Sequence, residues 1–349
     1  MANEDSAWSQ WLSNIPEDQQ LALYEALNTK LDGATSPPPE KKVRIVKTPI
    51  EDLFVKNPPP YVDVFGLITA YEKFNFSTNL LVKGPKGDGK SLSVTTFAHK
   101  TQTPLIVQEC SEDTKKMDLM GTQNLLGDET IFTLGCIPAA IETANEYGRC
   151  ILCFEEVNAL TNQVQKMLNA ITDFRKQCSL PFLGKTYQLR EGAFLWVVGL
   201  MNPSAYSGTY DLNEDLKSRF EEIDLSYPEA GQEKKILLAA CRHIMGVRMP
   251  TPAQVVHDSK TVEVHTVDEM VINQLIKLAG ETRQQATAYA LSTRDLVRIV
   301  QNFAIFGPEA ALQFVLCKFE GQDDKNVIRK RIGSIFAGMG KLDNYWRGV

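Results

Sequence analysis

Four short apolar runs, each followed by a turn and a stretch of helical periodicity, organise the chain from about residue 48 to residue 230. They are "NLLVKGP", "PLIVQEC", "RCILCFE" and "FLWVVGL". Short continuous runs bounded by turns predict strands buried on both faces. Their alternation with helical segments predicts an α/β domain with a parallel sheet flanked by helices. From about residue 231 the pattern changes. "EKKILLAACRHIM", "VDEMVINQLIKLAGETRQQATAYA", "TRDLVRIVQNFAIF" and "AALQFVLCKF" place apolar residues at helical spacing with few strand signals. Residues 231–349 are therefore expected to form a second, all-helical domain. Ahead of the sheet, residues 1–31 show helical spacing broken at Pro16, and "DGATSPPPEKK" opens a Pro-rich linker over 32–47.

Composition narrows the function classes. A chain of 349 residues with 43% hydrophobic content can bury a large core. No apolar stretch reaches the roughly 18 residues of a membrane span, and "MANEDSAWSQWL" has neither a basic nor an apolar leader region, so a cytoplasmic address is expected. A net charge of −6 weighs against a protein whose main business is coating nucleic acid. The basic runs "KKVR" and "RKR" read as solvated segments.

Seven cysteines without a leader read as reduced thiols. Cys150 and Cys153 have C-x-x-C spacing, but they sit in the run "CILCF". On a strand, positions i and i+3 point to opposite faces, so the pair is expected to fill the core and to share no metal.

"GPKGDGKS", Gly84 to Ser91, fits the phosphate-loop pattern G-x-x-x-x-G-K-[ST] at every specified position, between an apolar strand and a helical "SLSVTTFAHK". Glycines let the backbone wrap closely with its N–H groups turned inward, an anion nest at a helix N-terminus. The candidate nucleotide-binding residues are Gly84, Pro85, Lys86, Gly87, Asp88, Gly89, Lys90, Ser91 and Leu92. Lys90 would reach the β- and γ-phosphates, and Ser91 would offer its hydroxyl to Mg2+. ATP and Mg2+ are thus the expected cofactors.

The run "RCILCFEEVNAL" ends its apolar part in Glu155 and Glu156. Two acids at a strand end downstream of a phosphate loop suit magnesium and water handling. Glu155 stands where the usual pair begins with Asp; the extra methylene still permits a water-mediated magnesium contact, because magnesium keeps several of its waters. Glu156 is the candidate catalytic base or water positioner.

Four further segments resemble an AAA+ ATPase of the MoxR type, most similar to its NorQ/CbbQ branch in the helix-2-insert clade. They are "DLMGTQNLLGDETIFTLGCIPAAIETANEYGRCILCFEEVNAL", "LPFLGKTYQLREGAFLWVVGLMNP", "MNPSAYSGTYDLNEDLKSRF" and "LSTRDLVRIV". The likeness covers roughly residues 48–335. It implies a P-loop AAA+ core over 48–230 and a small helical lid over 231–349. By the same resemblance Asn202 is the polar sensor near the lytic water, Arg219 an arginine finger acting on a neighbouring subunit, and Arg294 a second sensor from the lid. Arg175 and Arg298 stay open as alternatives. The adenine is expected near "PYVDVF", with Val62 and Phe65 as candidates.

The resemblance implies a homo-oligomeric ring, most simply a hexamer. Its business end is expected in the insertions around 121–132 and 182–186, with Leu125 and Phe182 as contact candidates. Such ATPases act on a protein client as remodelling or metal-insertion chaperones, often with a partner bearing a von Willebrand factor A (VWA) domain. Two other readings stay open: a nucleic-acid-coupled motor or McrB-like NTPase of phage or defence type, and a weakly catalytic structural ring component.

Overall fold

A computed structural model of the protein describes residues 77–126, 129–202, 211–245, 254–257, 260–263, 267–284 and 289–335, together with residues 68 and 73. All belong to one compact unit, 44–349. The N-terminal segment and linker, Val62 and Phe65 and the "PSAYSGTY" stretch (203–210) lie outside the described residues.

In chain order the first part runs β1 (Asn79–Lys83), α1 (Lys90–Thr101), β2 (Leu105–Glu109), α2 (Lys116–Met120), β3 (Gly121–Leu126), β4 (Glu129–Leu134), α3 (Cys136–Tyr147) and β5 (Arg149–Glu155). It continues with α4 (Asn162–Thr172), β6 (Gln177–Leu180), β7 (Lys185–Gln188), β8 (Phe194–Met201), the single turn α5 (Glu214–Lys217) and β9 (Glu221–Asp224). The C-terminal part holds α6 (Ala230–Met245), β10 (Gln254–His257), β11 (Lys260–Glu263), α7 (Glu269–Gln284), α8 (Thr293–Phe306), α9 (Pro308–Leu316) and α10 (Gln322–Ile335).

Five strands form one parallel sheet in the order β2-β5-β8-β1-β9. Four of the five, β2, β5, β8 and β1, are the four apolar runs of the sequence, with β2 at one edge. The fifth, "EEID", is a polar edge strand with only Ile223 buried, which explains why hydropathy alone does not reveal it. Registers align Lys83 with Met201 and Glu109 with Glu155, so the carboxyl ends of β1, β5 and β8 open on one edge. Open α/β sheets bind ligands outside the carboxyl ends of their strands.

Alternation along the strands divides the core. Leu81, Cys150, Leu152, Phe154, Leu195 and Val197 pack on one face against α3 and α4 residues such as Ile141 and Leu168. Leu80, Val82, Ile151, Cys153, Trp196 and Val198 pack on the other against Val94 and Phe97 of α1. Cys150 and Cys153 thus lie on opposite faces of β5. Burial pushes the Cys150 thiol up to about 12 and Cys153 well above its ordinary value, so both behave as small apolar side chains.

Antiparallel pairs β3–β4 and β6–β7 form two hairpins. Leu125 falls on β3, and Phe182 in the short 3-10 turn between β6 and β7. The C-terminal helices build a separate core around Leu275, Leu296, Val300, Leu312 and Ile328. This part is helical but not wholly so. β10 and β11 pair antiparallel between α6 and α7, where "QVVH" and "KTVE" concentrate β-branched residues. Among the described residues no helix is long and apolar enough to cross a membrane.

Candidate functional site

The loop after β1 turns because its glycines permit what other residues resist. Gly87 has φ 77° and Gly89 φ 102°. At Gly84 a Cβ would overlap the Asp88 Oδ2 and stand 2.8 Å from the Leu225 carbonyl oxygen. The Gly84 N–H donates to the Met201 carbonyl at 3.3 Å, tying the loop to the end of β8. Helix α1 starts directly behind, with no acidic residue in its first turn, so its positive end faces the loop unopposed by its own side chains.

A cavity of about 350 Å3 opens here. Its lining runs from Lys86 through Ser91, then Glu155 and Glu156, Leu200 to Asn202, and Arg294. Three separate strand ends and the C-terminal helical part therefore deliver polar groups to one place. Gly84, Pro85 and Leu92 do not line it. The first two act through their carbonyls, which accept from Lys90 Nζ at 2.7 Å each, while Leu92 belongs to the first turn of α1.

Lys90 Nζ also donates to Asp88 Oδ1 at 3.2 Å and Asn202 Oδ1 at 3.1 Å. Burial lowers the Lys90 ammonium from its ordinary range, and Asp88 opposes that shift. Burial likewise raises the Asp88 carboxyl against the pull of Lys90. A buried pair of this kind is costly to ionise and costly to separate.

Glu156 follows β5 with φ 53° and ψ 45°, a left-handed conformation uncommon for a residue with a side chain. Its carbonyl accepts from the Ala159 N–H at 2.7 Å, closing the 3-10 turn Val157–Ala159. The turn buries Asn158 completely, and Asn158 Nδ2 donates to the Asn202 carbonyl at 3.2 Å. Asn158 thereby locks the acidic strand end to the end of β8. The sequence places an Asn after the acids without giving it a job; only the fold supplies one.

Arg294 reaches the cavity because of a capping box. Ser292 Oγ accepts from the Asp295 N–H at 3.2 Å, and the Asp295 carboxylate accepts from the Ser292 N–H at 3.1 Å. Burial alone would raise the Asp295 carboxyl, but bonds from Ser292, Lys318 and Tyr289 outweigh it and hold it low. Arg298, one turn further on, is not among the lining residues.

A second link joins the loop to the helices. Tyr227 Oη donates to the Lys86 carbonyl at 3.2 Å, and the Arg283 guanidinium stacks 4.0 Å from the Tyr227 ring centroid. Arg283 forks onto buried Glu233 at 2.8 and 3.1 Å, and Glu233 also accepts from Thr293 Oγ1 at 2.7 Å. Sequence reasoning missed Tyr227, Arg283 and Glu233, which come from separate segments.

Arg219 lies elsewhere. It follows α5, and its carbonyl accepts from Asn79 Nδ2 at 2.8 Å, at the amino end of β1. Its guanidinium pairs with Asp173 at 3.4 Å and Asp215 at 3.7 Å. Arg175 shares Asp173 at 3.0 Å. Neither arginine lines the cavity of its own chain.

Comparison with known proteins bears on this geometry. Residues 79–220 match the family described as AAA domain (dynein-related subfamily). An uncharacterized protein of Staphylococcus epidermidis is 30% identical over 272 residues, covering 74% of this chain and 91% of the relative. The chain belongs to the AAA family. The uncharacterized protein YojN of Bacillus subtilis is 29% identical over 264 residues, 74% of this chain and 78% of its own length. An uncharacterized protein of Staphylococcus haemolyticus is 25% identical over 270 residues, 74% and 91%. The AAA match spans the phosphate loop, both glutamates, Asn202 and Arg219; Arg294 falls outside it in the helical part.

Proposed function

We propose that the chain is an ATP-hydrolysing AAA+ ATPase of the MoxR type that assembles into a ring and remodels or activates a protein client. The observation that carries this is the convergence of Lys90, Ser91, Glu155, Glu156, Asn202 and Arg294 on one cavity at the carboxyl edge of the sheet.

The residues fit a nucleoside triphosphate. The loop N–H groups, the α1 terminus and Lys90 match a polyphosphate, and the hard oxygens of Ser91 and Glu155 match magnesium, which would supply charge neutralisation at the phosphates. Glu156 would accept a hydrogen bond from a water and orient it. Its left-handed backbone and the turn beneath it fix the point from which the side chain starts. Asn202 would hold the same water while its carbonyl is fixed by Asn158. Arg294 would report nucleotide to the helical lid.

Arg219 is assigned to the neighbouring subunit's nucleotide. Its distance from its own cavity supports that role, since a planar, permanently charged fork suits stabilisation of charge on a transferring phosphoryl group. Each site is then completed only between copies, and a heterologous interface that closes makes a ring, most simply a hexamer. The hairpins β3–β4 and β6–β7, bearing Leu125 and Phe182, are proposed to meet the client. A cytoplasmic setting, a VWA-domain partner and metal or cofactor insertion follow from the resemblance to the MoxR group.

A nucleic-acid-coupled motor is the reading to exclude. ATP turnover measured alone, with single-stranded and duplex DNA, and with RNA decides between them. Turnover indifferent to nucleic acid supports the protein-remodelling reading; strong stimulation overturns it.

A further inference from the structure

The phosphate loop carries an acid where its backbone must wrap an anion. The Asp88 side chain is 1% exposed, and Oδ2 is buried with no hydrogen-bond partner. Oδ1 accepts from the Lys90 N–H at 3.2 Å and from Lys90 Nζ at the same distance. Gly84 must be glycine for this carboxylate to fit, because a Cβ there would overlap Oδ2. Asp88 is therefore packed within the loop, between Gly84 and Lys90.

We infer that Asp88 is an affinity-setting residue, an internal anion that competes with nucleotide phosphate for Lys90 and for the loop N–H groups. This rests on the nucleotide-binding reading above. An incoming phosphate must draw Lys90 Nζ away from Asp88 Oδ1, Asn202 Oδ1 and the Gly84 and Pro85 carbonyls. It must also settle next to a buried negative charge whose second oxygen is already unsatisfied. Like charges brought together in a poorly solvated site repel strongly, and the repulsion grows with the ligand's own charge. Asp88 should thus penalise ATP more than ADP, and leave adenosine untouched.

The test is equilibrium binding of fluorescent ATP, ADP and adenosine analogues to the full chain, comparing wild type, Asp88→Asn, Asp88→Ser and Lys90→Ala. Asp88→Asn keeps the shape and removes the charge. It should bind ATP about tenfold more tightly, equal to about 1.4 kcal/mol, gain less for ADP, and show no change for adenosine. Asp88→Ser should follow the same order of ligands if the Asn amide fails to fit. Unchanged or weaker ATP binding in both variants, with wild-type melting, overturns the inference while leaving the nucleotide site standing. Wild type that binds no better than Lys90→Ala overturns the nucleotide reading itself, and this inference with it.

Discussion

Gly87 is where the phosphate loop touches the helix that delivers Arg294, and Gly87→Ala separates the two. A Cβ at this position would stand 2.6 Å from Ser292 Oγ, 2.8 Å from Ser292 Cβ and 3.1 Å from Arg294 Cβ. Alanine must also adopt φ 77°, a left-handed backbone, at a cost of about 1–2 kcal/mol. Overpacking against a fixed neighbour adds about 1–3 kcal/mol. The overlap falls on the first residues of α8, so relief requires α8 to retreat and Arg294 to leave the cavity. Gly89→Ala is the control: it is strained at φ 102°, but its Cβ would meet nothing within 4 Å. Ser292→Gly removes the clashing atoms and costs only a few tenths of a kcal/mol as an N-cap.

Chemical unfolding of the single and double variants should give a coupling of about 1–3 kcal/mol between Gly87→Ala and Ser292→Gly, and close to none between Gly89→Ala and Ser292→Gly. ATP turnover lost in Gly87→Ala should partly return in the double variant. Equal coupling for both glycines would refute the packing of loop against helix.

Two further outcomes follow from buried charges. Lys176 is 2% exposed, donates to Asn79 Oδ1, and is lowered from 10.5 to about 7, mainly by burial, with Asp173 opposing. Between those values the unfolded chain holds the extra proton, so stability should rise as pH increases from about 7 toward 10.5, with a slope approaching about 1.4 kcal/mol per pH unit from this group. Urea unfolding across that range should lose this part of the slope in Lys176→Met. Arg283→Lys replaces a two-pronged contact with Glu233 by a single one and should destabilise by about 1–3 kcal/mol, read as a lower thermal midpoint.

Features written into local sequence are legible from the residues alone. Strands β1, β2, β5 and β8 announce themselves as apolar runs, and the phosphate loop by the spacing of Gly84, Gly89 and Lys90. The Ser292–Asp295 capping box likewise lies in four consecutive residues, so the start of α8 can be read directly. Features that depend on distant segments are hidden. The edge strand "EEID" is polar because one side of an edge faces solvent. The β10–β11 pair is short enough to be lost among helical periods. Asp88 reads as one more loop residue until the chain packs it between Gly84 and Lys90, and Asn158, Tyr227, Arg283 and Glu233 acquire meaning only from partners 44 to 141 positions away.

The assignment of Arg219 to a neighbouring subunit is the step from which ring assembly follows, and subunit mixing tests it directly. Arg219→Ala keeps Glu156 and lacks the finger; Glu156→Gln keeps the finger and lacks the carboxylate. Each alone should turn over ATP far below wild type while retaining nucleotide binding. If Arg219 acts in trans, mixing them one to one creates interfaces with Glu156 from one copy and Arg219 from the next, about a quarter of all interfaces in randomly mixed rings. ATP turnover of the mixture should then rise well above either variant. Turnover no higher than the mean of the two would place Arg219 in its own chain's site or outside the chemistry, and would contradict the shared active site.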